Sequence, residues 1–120
     1  MKEYLLLIRT EGNPWDALSA EQQQKHVEKA AAYIGNLISE GKLKGAQPLE
    51  PEGKMISNTK GLWKDGPFNE SKEVIAGYFL IIAKDLEEAI AIAKANPIYE
   101  DQLKARIEVR PVKMVEGINR

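Results

Sequence analysis

The sequence predicts an α+β sandwich of the ferredoxin-like type, an antiparallel sheet carrying two helices on one face. Two strongly apolar segments, "YLLLI" at 4–8 and "VIAGYFLIIA" at 74–83, are the right length and composition for buried central strands. Each is followed by an amphipathic helix with its own start signal, and each helix by a more polar β segment. The resulting order is β, α, β with a hairpin, β, α, β, and ferredoxin-like connections put strands of this kind in the middle of one sheet.

The elements follow in chain order. The first strand ends at Arg9, and "TEGNPW" breaks the chain. Ser19 and Gln22 have the capping-box spacing, and Val27, Ala31, Ile34 and Ile38 repeat with helical period, so a long helix is expected until Gly41. "KLKGAQPLEPEGKMISNTKGLWKDGPF" is punctuated by Gly and Pro, predicting an edge strand over 44–49 and a hairpin with strands over 54–57 and 61–64. Asp65-Gly66-Pro67-Phe68 then reads as a turn before the second central strand. Asp85 and Glu88 open a second helix with Leu86, Ala89, Ile90 and Ala93 on one face, stopped by Asn96-Pro97. "RIEVRPV" alternates, and Pro111 is acceptable only at an edge or a strand end.

A chain of 120 residues with 43% hydrophobic content is one domain, 1–120, with enough apolar surface for a core. Seventeen basic residues stand against eighteen acidic ones, a balance that gathers neither nucleic acid nor anionic membrane. "AGYFLII" lacks the basic residue of the RNA-recognition strand motif before Gly77 and the small residue after Tyr78. There is no cysteine and a single histidine, so no metal site and no cofactor is expected. No Gly-rich phosphate loop and no Ser, His and acid set is present. The N-terminal apolar run is too short for a signal peptide or a membrane span, and a cytoplasmic protein is expected.

Several blocks in order, "GKLKGAQPLEPEG", "DGPFNESKE", "AGYF", "DLEEAIAIAK" followed by "NP", and "EVRPV", make the chain resemble the YCII-related family, and within it the DGPF-domain branch. The resemblance covers the first strand nearly to the C-terminus. It implies a dimeric α+β barrel, with relatives in the catabolism of small cyclic or aromatic compounds and others linked to alternative sigma factors. A helix histidine and an aspartate before the Glu-Gly at the helix end have been proposed as a catalytic pair in the small-protein branch. Aligned on Glu40-Gly41, this sequence has Ala30 and Ser39 there, so that pair is absent.

Candidate chemistry therefore centres on His26, whose side-chain type titrates at about 6.5 and suits proton transfer near neutral pH. Its structural alternative is a boundary histidine bonded to backbone or water. Asp65 is the candidate catalytic partner, held by its turn at the rim of a cleft; otherwise it only punctuates the chain. Tyr33, two helical turns beyond His26, and Lys72, Glu73 and Tyr78 around the second central strand are candidate substrate-binding residues. Gly77 inside a strand signals close approach of a ligand or of backbone.

The expected function is binding of a small cyclic or aromatic metabolite, with acid–base chemistry of lyase or isomerase type. The alternative is a non-catalytic ligand-binding or regulatory module, in line with the sigma-factor association. A homodimer is expected on physical grounds as well, because both faces of the central strands are apolar while two helices cover one.

Overall fold

The computed structural model describes residues 1–67, 73–101 and 103–120. Its elements are β1 (Lys2–Glu11), α1 (Ala20–Ser39), β2 (Leu43–Pro48), β3 (Lys54–Thr59), β4 (Leu62–Pro67), β5 (Glu73–Ala83), α2 (Leu86–Lys94) and β6 (Ala105–Pro111). Short 3₁₀ turns occupy Pro14–Ala17 and Pro97–Tyr99. Four strands form one sheet in the order β2-β5-β1-β6, every pair antiparallel. This is the ferredoxin-like arrangement, with the two most apolar strands at the centre, where both their edges are paired.

Alternation along the central strands divides the sheet. Tyr4, Leu6, Ile8 and Thr10 on β1 and Phe79, Ile81 and Ala83 on β5 are buried on one face. Leu37 of α1 and Ala89, Ile92 and Ala93 of α2 pack onto that face, and Leu6 and Ile81 at its centre are wholly sealed. Gly77 falls on the same face by alternation with Phe79 and Ile81, and a Cβ there would lie 2.9 Å from the Gln47 carbonyl oxygen and 3.3 Å from Pro48 Cα. The close approach expected at this glycine is that of the neighbouring β2 backbone.

Helix α1 is bounded by its own chemistry. Ser19 and Gln22 cap each other reciprocally, and Gly41, at φ +70°, closes the other end. There Gly41 N–H donates to Ile38 O (3.0 Å) and Lys42 N–H to Leu37 O (2.9 Å), the Schellman pattern. In α2, Asp85 accepts the Glu88 N–H as expected, while the Glu88 side chain takes the N–H of Lys84 instead of closing the box on Asp85.

The expected apolar stripe of α1 is rotated, and that of α2 is met only at Ala89 and Ala93. On α1 the residues turned inward are His26, Ala30, Tyr33, Ile34 and Leu37, while Val27 is 50% and Ile38 61% exposed. On α2, Ile92 replaces Leu86 and Ile90 in the buried set. Helical period alone does not distinguish a stripe from its neighbour one residue along, and Tyr33 and Leu37 fill more of the interior than Val27 and Ile38 would.

β3 and β4 form a separate two-stranded ribbon that, among the described residues, shares no pairing with the main sheet. Lys60 and Gly61, at φ 53° and 86°, make its tight turn, and Asn58 Oδ1 accepts the Gly61 N–H. β4 runs on through Asp65, Gly66 and Pro67, which pair with Ile56, Met55 and Lys54. Asp65-Gly66-Pro67 is therefore strand, not turn: the hydrogen-bond ladder with β3 prevails over local turn preference. Phe68 lies outside the described residues. Leu62 and Trp63 are each 76% exposed, and the radius of gyration of 16.3 Å exceeds the ~14 Å of a compact chain this long. The ribbon projects from the body.

Candidate functional site

Because α1 turns Tyr33 and Leu37 toward the core, its Val27, Ala31 and Ile34 side faces an open space above the sheet. The cavity measures about 890 Å³. Its floor is the sheet surface at Ile8, Thr10 and Phe79, and Asn96, Ile98 and Leu103 close the end nearest α2. The stretch that follows β2 forms the opposite wall, and Asp16, Glu50 and Glu52 are among the lining residues. Volume and an apolar interior with few polar groups match sites that hold small organic molecules.

His26 sits in this wall with its side chain only 13% exposed. Nδ1 lies 2.7 Å from Oδ2 of Asp101, in the turn after the second 3₁₀ segment. The other carboxylate oxygen, Oδ1, accepts from Lys29 Nζ at 3.0 Å. Trp15 presents its ring edge-on to the imidazole, centroids 5.7 Å apart, and is itself held by Gln23, whose Nε2 donates to the Trp15 carbonyl. The hydrogen bond from His26, opposed by burial and assisted by Lys29, holds Asp101 below the usual carboxylate range.

An ionised Asp101 accepts from Nδ1–H, which assigns the proton of a neutral imidazole to Nδ1 and leaves Nε2 with its lone pair. Such a pair orients a general base and stabilises the imidazolium once a proton is taken. The arrangement supplies one proton-transfer group beside an apolar chamber.

Of the other predicted site residues, Asp65, Tyr33 and Tyr78 lie elsewhere. Asp65 is on the projecting ribbon, its side chain 67% exposed and 3.9 Å from Lys54 Nζ, and it does not line the cavity. Tyr33 donates its hydroxyl to the Ile92 carbonyl at 2.6 Å and meets Phe79 edge-on, tying α1 to α2 beneath the cavity rather than lining it. Tyr78 pairs with Leu7 and Gln47 and points to the sheet face away from the helices. Glu73 begins β5 opposite Glu11, and Lys72 falls outside the described residues. Two members of the His26 cluster, Asp101 and Trp15, escape sequence reasoning, since no spacing rule links position 26 to either. The only signal was topological: the segment after α2 returns along the sheet beside α1.

Among the described residues no group of three or more His, Asp and Glu gathers as metal ligands, and no helix is long and apolar enough to cross a membrane.

Residues 3–113 match the YCII-related domain. The chain belongs to the YCII-related family. A YCII-related chain of this length is similar to an uncharacterized protein of Rhizobium meliloti (strain 1021), 28% identical over 117 residues that make up 91% of this chain and 90% of the relative. Among solved structures it resembles 5-chloro-2-hydroxyhydroquinone dehydrochlorinase from Burkholderia phenoliruptrix AC1100, in complex with 2,5-dihydroxybenzoquinone. That match has a TM-score of 0.61 at 14% identity and covers 95% of this chain and 96% of the other. At that identity the likeness concerns the YCII-related fold.

Proposed function

We infer that this YCII-related protein, whose sequence blocks resemble the DGPF-type branch, binds a small cyclic or aromatic metabolite in the cavity beside α1. There His26, oriented by Asp101, carries out an acid–base step of lyase or isomerase type. The observation that carries this reading is the 2.7 Å His26–Asp101 hydrogen bond in the wall of an 890 Å³ apolar chamber. Nε2 takes a proton from a C–H or O–H of the ligand, and the freed electron pair forms a new double bond. In an elimination the leaving group departs with its own bonding pair, while in an isomerisation the imidazolium returns the proton at another ligand atom. The dehydrochlorinase named for the structural neighbour acts on a chlorinated ring, which favours such ligands as first probes.

The test is turnover of a panel of hydroxylated and chlorinated cyclic compounds, followed by absorbance. The wild-type chain should convert at least one of them, and His26→Ala should abolish that conversion with its circular dichroism unchanged. Turnover that survives the replacement removes His26 as the acid or base.

A second reading, a non-catalytic dimeric ligand-binding or regulatory module of the cytoplasm linked to an alternative sigma factor, is favoured by the ribbon, which offers Leu62 and Trp63 to a partner. Ligand binding without conversion of any probe would support it.

A further inference from the structure

The acid–base reading uses His26 and Asp101 and leaves Lys29 unexplained. Positions 26 and 29 are one helical turn apart and lie on the same side of α1. Asp101 comes to them from a different part of the chain and gives each its own oxygen, Oδ2 to His26 and Oδ1 to Lys29. Two donors from one rigid helix therefore set both the position and the plane of the carboxylate. Lys29 does not line the cavity, and its side chain is 44% exposed, whereas those of His26 and Asp101 are 13% and 17% exposed. It reaches the pair from the solvent side, outside the cavity lining.

We propose that Lys29 is a positioning residue of this site: it holds Asp101 with Oδ2 toward His26 and draws off part of the carboxylate's charge, so that the imidazole can release as well as accept a proton. The proposal rests on the acid–base reading of the His26–Asp101 pair. A carboxylate facing His26 alone would stabilise the imidazolium more strongly and slow its return to the basic form. With Lys29 on the far oxygen, one negative charge is shared between two cations. Other charged groups bear on the cluster. Glu100, next to Asp101, acts on Lys29, while Asp16 of the Pro14–Ala17 turn and Glu50 and Glu52 after β2 share the cavity with His26. Among the described residues Asp101 alone is bonded to both His26 and Lys29.

The test needs no ligand, because the sole histidine yields one ring Cε1–H resonance whose pH titration can be followed by NMR in the intact chain. Lys29→Met should raise the titration midpoint of His26 by roughly half a unit to one unit, the size expected for losing one nearby charge in a partly hydrated site. Lys29→Arg, which keeps the charge, should restore the wild-type midpoint. Asp101→Asn should move it the opposite way, downward. A midpoint unmoved or lowered in Lys29→Met, or not restored by arginine, overturns the role of Lys29 and leaves the His26–Asp101 pair standing. A midpoint unmoved in Asp101→Asn overturns the pair itself, and with it the reading on which Lys29 depends. The exposed position of Lys29 should make its variants safe for the fold, and circular dichroism checks this for each.

Discussion

His26 Nδ1 and Asp101 Oδ2 lie 2.7 Å apart although 75 residues separate them in the chain. The bond ties α1 to the segment after α2, so it stabilises as well as orients. The sign of its pH dependence follows from the depressed titration of Asp101. A carboxyl group titrating lower when folded contributes stability that is complete above its ordinary value of 3.8 and is lost as pH falls through the lowered folded value.

Asp101→Asn should accordingly lower stability near neutral pH by about 1 kcal/mol, the scale of one partly hydrated charge-assisted hydrogen bond. Urea unfolding across a pH series is the measurement. The gap between variant and wild type should close in acid, below the ordinary carboxylate range. A gap independent of pH would show that the ionised carboxylate is not what stabilises.

Tyr33 predicts the opposite limb. Burial, with the neighbouring Tyr99 adding to it, pushes its phenol up to about 12. The neutral hydroxyl that donates to Ile92 O is the form the fold prefers, so its contribution is complete below the ordinary value of 10.0 and is lost as pH rises through about 12. Tyr33→Phe should cost about 1 kcal/mol at neutral pH and should be less sensitive than wild type to alkaline unfolding. Ultraviolet titration of the tyrosines checks the second part.

Gly77→Ala tests the packing of β2 on β5. The new methyl meets main-chain atoms of Gln47 and Pro48, which cannot swing away as a side chain would, and a cost of about 1–3 kcal/mol is expected. Because Gly77 also borders the cavity, the variant should shift ligand affinity as well. A thermal midpoint equal to wild type would mean that β2 yields freely.

Assembly is tested through the outer sheet face. Leu5 and Leu80 are paired on it, with Leu7, Tyr78 and Ile82 beside them, all half-buried and on the side opposite both helices. Covering that face with a second copy would gain roughly 25 cal/mol per Å² of apolar surface. Sedimentation equilibrium should report about twice the 13.4 kDa chain mass, and Leu80→Asp should produce monomer or aggregate. A stable wild-type monomer at micromolar concentration would refute it.

Much of the fold was legible because it is written in local chemistry. Ser19 with Gln22, Asp85, Gly41 and Asn96-Pro97 mark helix ends through bonds made within a few residues, and the two apolar runs identify the central strands by composition alone. The Asp65-Gly66-Pro67 stretch misled for the converse reason. Its turn preference is local and weak, whereas the ladder to β3 engages several backbone groups at once. The α1 stripe was misplaced by about one position, and on α2 Ala89 and Ala93 were placed rightly but Leu86 and Ile90 were not, because the period constrains spacing while phase is decided by which side chains the interior accepts.

By itself, then, the sequence determined the order and type of the elements, the ferredoxin-like sheet, family membership and His26 as the chain's one imidazole. Tertiary structure alone decided what His26 touches. Asp101 and Trp15 reach it from segments with no fixed spacing to position 26, brought there by the return of the chain along the sheet and by a helix whose rotation opens a cavity on one side while Tyr33 and Leu37 seal the other. Contacts of that kind depend on where whole elements dock. Docking is set by the summed burial of many side chains, which no short pattern in the chain encodes.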